Sequence, residues 1–176
     1  MRKLSVNDYH IEIKQEVNYC FDSSDNKYYD KVLDLAGHED FVKTICLMMK
    51  KDGSKKEVAL IVPYFTGTDH CALPAERGLF LMLNDLLYLF HLETMDVTKR
   101  VKIDAIGSMI APYSYKQDFI LYGEMSIFRI ASDLSVKWEF SGRDIFIDFE
   151  MKSDRICLYD LEGSCWEINY DGILIR

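Results

Sequence analysis

Three polar groups in this sequence have the residue types that chemistry requires, and the first is a consecutive aspartate, histidine and cysteine. A cysteine beside a histidine could provide a thiolate nucleophile and its base, here Cys71 and His70. Adjacent residues of an extended chain point to opposite sides, so these two side chains do not easily meet. A catalytic cysteine usually takes its histidine from elsewhere in the fold, and the sequence does not select among His10, His38 and His91. We therefore favour a loop histidine beside a buried cysteine.

The second group combines two short polar segments. His38, Glu39 and Asp40 could join Asp69 and His70 in a metal site made of imidazoles and carboxylates. Neither segment has the spacing of an established metal motif, so we favour a polar turn and predict no metal site.

The third group is the loop at residues 141–144, which contains Gly142, Arg143 and Asp144. Arg143 could bind a carboxylate or phosphate through two hydrogen bonds. Alternatively, Arg143 and Asp144 brace the loop locally while Gly142 adopts a positive φ, and we favour this interpretation. The chain contains no phosphate-binding loop, nucleophile elbow or dinucleotide fingerprint. The sequence therefore predicts no cofactor and a non-enzymatic protein.

The elements that would position these residues are short apolar segments separated by polar turns, a pattern typical of antiparallel strands. A strand–turn–strand pattern recurs imperfectly at residues 89–93, 127–130 and 158–162. In the last repeat, Ile145, Ile147, Phe149 and Met151 alternate with other residues and predict one apolar face. The predicted strands cover residues 10–21, 42–49, 58–64, 79–83, 86–92, 97–103, 119–122, 126–130, 136–140, 145–151, 156–161, 165–170 and 173–175.

These repeats predict a mainly β fold of antiparallel meanders that is β-propeller-like or a partial propeller. A closed ring needs about four blades, and an open, twisted meander is the alternative. Residues 27–36 have apolar spacing that suits either one short N-terminal helix or an extended segment. The length of 176 residues predicts a single domain over 1–176, with strands, a hairpin and the optional helix in 1–77 and three blade-like repeats in 78–176.

The aromatic residues are candidates for packing and for binding. Trp138 and Trp166 occupy what look like matching repeat positions, so we expect them to pack between neighbouring units first and to anchor an interface second. Exposed tyrosines on an acidic surface would suit a protein partner, because aromatic residues dominate interface hot spots. The tyrosines concerned are those at positions 113, 115, 122, 159 and 170, and we include Tyr122 among the candidate binding residues.

Charge and composition exclude several classes of partner. The formal net charge is −8, so nucleic acid and anionic membranes are disfavoured, and the densest basic run, at residues 50–56, is interpreted as a solvated hairpin tip. Five scattered cysteines, with no apolar signal at the start, indicate reduced thiols in a cytoplasmic protein. The sequence does not define an oligomeric state.

Two resemblances add to this interpretation. Residues 92–100 and the turns that carry Trp138 and Trp166 resemble blades of quinoprotein-type β-propellers, with Gly163 as a turn glycine and Arg100 or Val101 in place of the first tryptophan. Residues 28–33, 121–124 and 138–146 look like those of a family of small bacterial proteins without an assigned activity. The second resemblance implies a bacterial cytoplasmic origin and no mechanism.

The leading hypothesis from the sequence is a non-enzymatic, cytosolic protein-binding module, of an inhibitor or immunity type that acidity would steer to a basic partner. Its candidate binding residues are Tyr122, Trp138, Arg143 and Asp144. The alternative is a small hydrolase or ligand-binding protein with a loop-lined pocket formed by His70, Cys71 and Arg143.

Overall fold

The computed structural model describes residues 1–17, 19, 23–24, 26–37, 41–63 and 70–176. These residues form sixteen β-strands in four sheets, and none of them is helical. The chain divides into two compact units. One comprises Met1–Leu83 and Tyr88–Arg100, and the other comprises Asn84–Leu87 and Val101–Arg176.

The first sheet has the strand order β1-β2-β4-β5-β3. Its long central hairpin turns at Asp52 and Gly53, where both residues have a positive φ (49° and 76°), as the asparagine- or aspartate-glycine signal predicts. The apolar side chains of β4 and β5 are largely buried. The bounds are β1 Arg2–Val6, β2 Tyr9–Glu16, β3 Lys31–Asp34, β4 Val42–Lys51 and β5 Ser54–Pro63.

The helix considered for residues 27–36 is wrong, because β3 runs through this segment parallel to β5. Tyr28 and Val32, whose spacing suggested one apolar helical face, are both exposed. Tyr29 is instead buried against Cys46 and Ala59 of the sheet. Adjacent aromatic and β-branched residues suit an extended chain, and here pairing with a distant strand decided the outcome.

The remaining sheets are consecutive meanders, in the orders β6-β7-β8-β9, β10-β11-β12-β13 and β14-β15-β16. The gap between the predicted strands 79–83 and 86–92 is a tight turn, in which Asn84 has a φ of 57°. The bounds are β6 Ala72–Ala75, β7 Gly78–Leu83, β8 Leu86–His91, β9 Asp96–Lys102, β10 Met109–Tyr115, β11 Asp118–Gly123, β12 Ser126–Ile130, β13 Val136–Ser141, β14 Phe146–Met151, β15 Arg155–Asp160 and β16 Cys165–Asn169.

Prolines lie on first strands at the edges of two sheets, where a missing N–H is tolerated. Pro74 is in β6 and Pro112 is in β10. Because Pro74 has no N–H to donate, β6 is suited to the edge of its sheet and not to its centre. The strand β10 lies outside every strand that the sequence pattern predicts.

The predicted apolar face of β14 is wrong in its first half. The pairing register shifts between Phe146 and Asp148, so Ile147 is an extra residue relative to β15. As a result Phe146 is buried, whereas Ile145 and Ile147 are exposed. A bulge reverses the side-chain alternation of a strand, which a strict two-residue period does not anticipate.

The core of the second unit lies between its last two sheets. Tyr122, Ile127, Phe146 and Leu158 are among its buried residues, and both tryptophans pack against it, as expected of packing residues. Their positions do not match, however. Trp138 is on the fourth strand of its sheet and Trp166 is on the third strand of the next.

Candidate functional site

The predicted cysteine–histidine group lies in the first unit. Cys71 is buried, its carbonyl accepts the N–H of Met82 at 2.8 Å, and His70 is exposed in the preceding turn. Arg143 belongs to the second unit, so neither unit contains all three residues of the hydrolase hypothesis. His38, Glu39, Asp40 and Asp69 lie outside the described residues.

The loop at residues 141–144 is held by backbone contacts and by ring packing. The N–H of Gly142 donates to the carbonyl of Met125 at 2.9 Å. A Cβ at Gly142 would lie 2.6 Å from the ring of Phe146. Gly142 is not among the residues with positive φ, so that part of the prediction is wrong. Glycine is needed here because an aromatic ring packs directly against the backbone.

Arg143 and Asp144 behave differently from each other. The Asp144 carboxylate accepts the N–H of Ile145 at 2.7 Å, which is the local bracing expected of it. Arg143 is exposed and has no hydrogen bond or ion pair to any residue that the structure describes. The loop therefore does not use Arg143 as a brace.

Tyr122 and Trp138, two of the predicted binding residues, make internal contacts. Tyr122 is buried, and its hydroxyl donates to the carbonyl of Phe146 at 3.1 Å. The indole N–H of Trp138 donates to the carbonyl of Tyr170 at 2.8 Å, and a Cβ at Gly172 would lie 2.6 Å from its ring. These contacts position both residues within the packing of the second unit.

A surface that the sequence pattern did not predict lies next to the loop at residues 141–144, in the residues that come after it in the chain. Exposed Ile145 and Ile147 lie among the carboxylates of Asp144, Asp148 and Glu150, and we call these five residues the acidic isoleucine edge. It belongs to β14 and the residues before it, at one edge of the last sheet. Its signal in the sequence is the alternation of acidic and apolar residues, which had been interpreted as one buried face.

The carboxylates of this edge are mostly uncompensated. Asp148 accepts the N–H of its neighbour Phe149 at 2.8 Å. Glu150 lies 3.5 Å from the ammonium of Lys152. Within the described chain, neither Asp144 nor Asp148 forms an ion pair. The edge therefore combines exposed apolar area with net negative charge.

An aromatic ladder adjoins the acidic isoleucine edge. The ring centroids of Tyr113 and Phe149 are 4.8 Å apart, and those of Phe149 and Tyr122 are also 4.8 Å apart. Tyr113 is 37% exposed, so the ladder runs from the surface into the core. Burial raises the pKa of Tyr113, and burial together with the charge of Asp148 raises the pKa of Tyr122. Both hydroxyls therefore stay protonated at neutral pH.

The basic hairpin tip of the first unit is electrostatically compensated. Each of its four lysines lies near a carboxylate, with N–O distances from 2.9 to 3.8 Å. The pairs are Lys50–Glu12, Lys51–Asp8, Lys55–Glu57 and Lys56–Asp30. Paired lysines do not form the open basic patch that phosphate binding needs.

In the described part of the chain, no three His, Cys, Asp or Glu side chains are grouped so that they could hold a metal ion. Among the residues that the structure describes, none forms a helix of the length and hydrophobicity that crossing a bilayer requires.

Four consecutive sheets, antiparallel except for the β3–β5 pair of the first, define the fold as β-propeller-like, and comparison with solved structures confirms this class. The crystal structure of BamB from Moraxella catarrhalis matches with a TM-score of 0.54 and 10% identity, over 99% of this chain and 62% of that one. An AfRom2 CNH domain matches with a TM-score of 0.48 and 12% identity, over 78% of this chain and 47% of that one. The Neurospora crassa Pan2 WD40 domain matches with a TM-score of 0.47 and 12% identity, over 82% and 47%.

This chain thus spans about 62% of the BamB chain and about half of the others. At such low identity the likeness shows the fold alone. No family model matches the sequence, and no curated protein matches it. The resemblance to a family of small bacterial proteins stays a prediction.

Proposed function

We propose that this protein is a non-enzymatic protein-binding module whose contact surface is the acidic isoleucine edge. The observation that carries the proposal is the exposure of Ile147 (59%) in β14 and of Ile145 (44%) directly before it, between the uncompensated carboxylates of Asp144 and Asp148. Neighbouring exposed apolar side chains with a polar rim are typical of protein interaction sites. A β-propeller-like scaffold of paired strands would present this edge in a fixed geometry.

The charge of the surface supports a basic partner. Asp144 and Asp148 have no cation nearby among the described residues, and the chain has a net charge of −8. Complementary charge would accelerate encounter with a basic protein and would disfavour acidic competitors. We therefore extend the proposal to a bacterial cytoplasmic inhibitor or immunity-type protein that binds a basic target.

The contacts at the other predicted site support binding over hydrolysis. Cys71 is buried beside an exposed His70, which does not offer a nucleophile with an oriented base to substrate. Arg143 remains a candidate contact, because it is exposed and directly precedes the acidic isoleucine edge in the sequence.

A site-specific cross-link would test the proposal. A photoreactive amino acid replaces Ile147 in the native host, and a matched variant carries it at exposed Glu162 in the β15–β16 turn. We expect one discrete, basic protein to cross-link at position 147 and not at position 162. That protein is then purified for affinity measurements.

The affinity of the identified partner provides the quantitative test. Burying a whole isoleucine side chain contributes about 1.5–3 kcal/mol, so the roughly half-exposed Ile145 and Ile147 would together contribute about 2 kcal/mol. Replacing both by serine should then weaken binding by about 30-fold. The proposal is wrong if position 147 captures no discrete protein, or if the double variant binds the captured protein as tightly as the wild type.

A further inference from the structure

We propose that Tyr113, Phe149 and Asp148 form a subsite for an arginine side chain of the partner. The inference rests on the proposed function and deepens it, because it names the group that is recognised beside the acidic isoleucine edge. All three residues belong to the second unit.

The geometry of the aromatic ladder provides the first argument. The Tyr113 ring packs on Phe149 with an interplanar angle of 33°, and Phe149 stacks on Tyr122 at 26°. The Tyr113 ring thus packs on Phe149, and the residue remains partly exposed. A supported, half-exposed ring is a surface on which a planar cation can stack, because the face of an aromatic ring is electronegative.

A second tyrosine of the same strand provides an internal comparison. Tyr115 holds two cations, with Arg129 and Lys116 each 5.1 Å from its ring centroid. Tyr113, two residues earlier in β10, has no such cation among the described residues. The same strand therefore shows this contact filled at one tyrosine and open at the other.

The charge beside the ladder provides the third argument. Asp148 directly precedes Phe149, accepts its N–H at 2.8 Å and is exposed, with no ion pair to any described residue. The Asp148 carboxylate therefore lies against the backbone of Phe149, the residue whose ring packs on Tyr113. An arginine could therefore stack on Tyr113 and bind Asp148 with the same planar group.

Arginine suits this arrangement better than lysine. A guanidinium stacks flat on a ring and donates to a carboxylate in its own plane, whereas an ammonium is a compact and strongly hydrated charge. Ile145 and Ile147 lie in the residues just before Asp148 and offer apolar contact area to the neighbours of that arginine. The recognised segment is thus an arginine flanked by apolar residues.

Two synthetic peptides would test the subsite directly. One is a ten-residue peptide of alternating leucine and arginine, and the other has citrulline, a neutral isostere, at each arginine position. Binding to the isotopically labelled protein is followed by amide chemical shifts. We expect the arginine peptide to bind at least 10-fold more tightly, with the largest shift changes at Tyr113, Asp148 and Phe149.

Matched variants would separate this subsite from general acidity. Asp148→Asn keeps an acceptor for the N–H of Phe149, and Tyr113→Leu keeps an apolar contact to that ring. Each should weaken the arginine peptide by about 5- to 10-fold and leave the citrulline peptide unchanged, whereas Glu162→Gln should change neither. Equal binding of the two peptides, no binding of the arginine peptide, or equal effects of Asp148→Asn and Glu162→Gln would overturn the inference.

The proposed function fails separately from the subsite. If replacing Ile145 and Ile147 by serine weakens the cross-linked partner while Asp148→Asn and Tyr113→Leu do not, the binding module stands and the arginine subsite is wrong. If the isoleucine variants also leave the partner's affinity unchanged, both proposals are wrong.

Discussion

Replacing Asp118 by alanine should destabilise the second unit strongly, because Asp118 is the common acceptor of a largely buried ion network. Its carboxylate accepts from the Nε of Arg129 at 2.7 Å and from the Nζ of Lys137 at 2.8 Å. Arg129 also donates to the carbonyl of Tyr170 at 2.6 Å, beyond the last strand. The network therefore ties β11, β12 and β13 to the C-terminal part of the described chain.

The size of this destabilisation follows from the burial of the ion network. The side chains of Asp118 and Arg129 are 7% and 15% exposed. Removing one partner of a buried pair costs about 3–5 kcal/mol, because the remaining charge loses its compensation. Arg129 keeps the Tyr170 carbonyl and Lys137 can turn to water, so we expect the lower end, about 3 kcal/mol. Glu150→Ala, which breaks an exposed pair with Lys152, should cost below about 1 kcal/mol.

Urea unfolding followed by tryptophan fluorescence measures this effect, since both tryptophans belong to the second unit. Burial opposes ionisation of Asp118, but hydrogen bonds from Lys137 and Arg129 lower its pKa below the ordinary value. A lowered folded-state pKa stabilises the protein above the unfolded value of about 3.9, and this contribution is lost as the pH falls through the folded value. The difference in free energy of unfolding between the wild type and Asp118→Ala should thus be largest near neutral pH and should shrink below about pH 4. Equal losses for Asp118→Ala and Glu150→Ala at neutral pH would refute the reasoning.

Three further predictions concern packing, a buried hydroxyl and thiol access. Gly172→Ala should lower the free energy of unfolding by about 3 kcal/mol in urea and should shift the tryptophan emission. Gly172 has a φ of +84°, and the new Cβ would lie 2.6 Å from the Trp138 ring. An unchanged stability would contradict this close approach. Ser126→Ala should cost about 2 kcal/mol by the same measurement, because the buried Ser126 hydroxyl accepts the Ile106 N–H at 2.9 Å, and Ser126→Thr, which keeps a hydroxyl, serves as the control. Cys165 is partly exposed, whereas Cys46, Cys71 and Cys157 are buried. Mass spectrometry of the native protein after brief thiol labelling should therefore find Cys165 modified before these three. A faster reaction at Cys71 would instead support the hydrolase hypothesis.

Hairpins are the part of the fold that the sequence predicts well, because their signals are local. The positive φ values of Asp52, Gly53 and Asn84 are the conformations that turn residues of these types adopt most readily. Each turn fixes the register of two adjacent strands, and successive hairpins give the antiparallel meander. The propeller-like class follows from their repetition.

Elements that depend on distant partners were harder to predict. The segment at β3 has no local feature that distinguishes a short helix from a strand, and it became a strand through parallel pairing with β5. The strand β10 was missed because Pro112 lies within it, although an edge strand tolerates proline. Edge position is a property of the whole sheet, which no local window of sequence contains.

The predicted binding residues differ in their surroundings. Residues 141–144 adjoin the acidic isoleucine edge, whereas Tyr122 and Trp138 make internal contacts. Aromatic type and acidity do not reveal how deeply a ring is buried. Tyr113 and Tyr122 lie on neighbouring strands, and one is partly exposed while the other is buried.

The bulge at Ile147 is the physical reason why the acidic isoleucine edge is exposed. In a regular strand, Ile145 and Ile147 would share the face of Phe149 and would be buried with it. The extra residue turns both isoleucines outward while Phe149 still contacts Tyr113 and Tyr122. Leaving apolar side chains in water forgoes about 25 cal/mol for each Å² that could have been buried. A regular strand would bury these isoleucines but would turn Phe146 away from the core, where it is now 2% exposed. The bulge therefore exchanges two exposed isoleucines for one buried phenylalanine, and the exposed apolar area stays available to the partner proposed above.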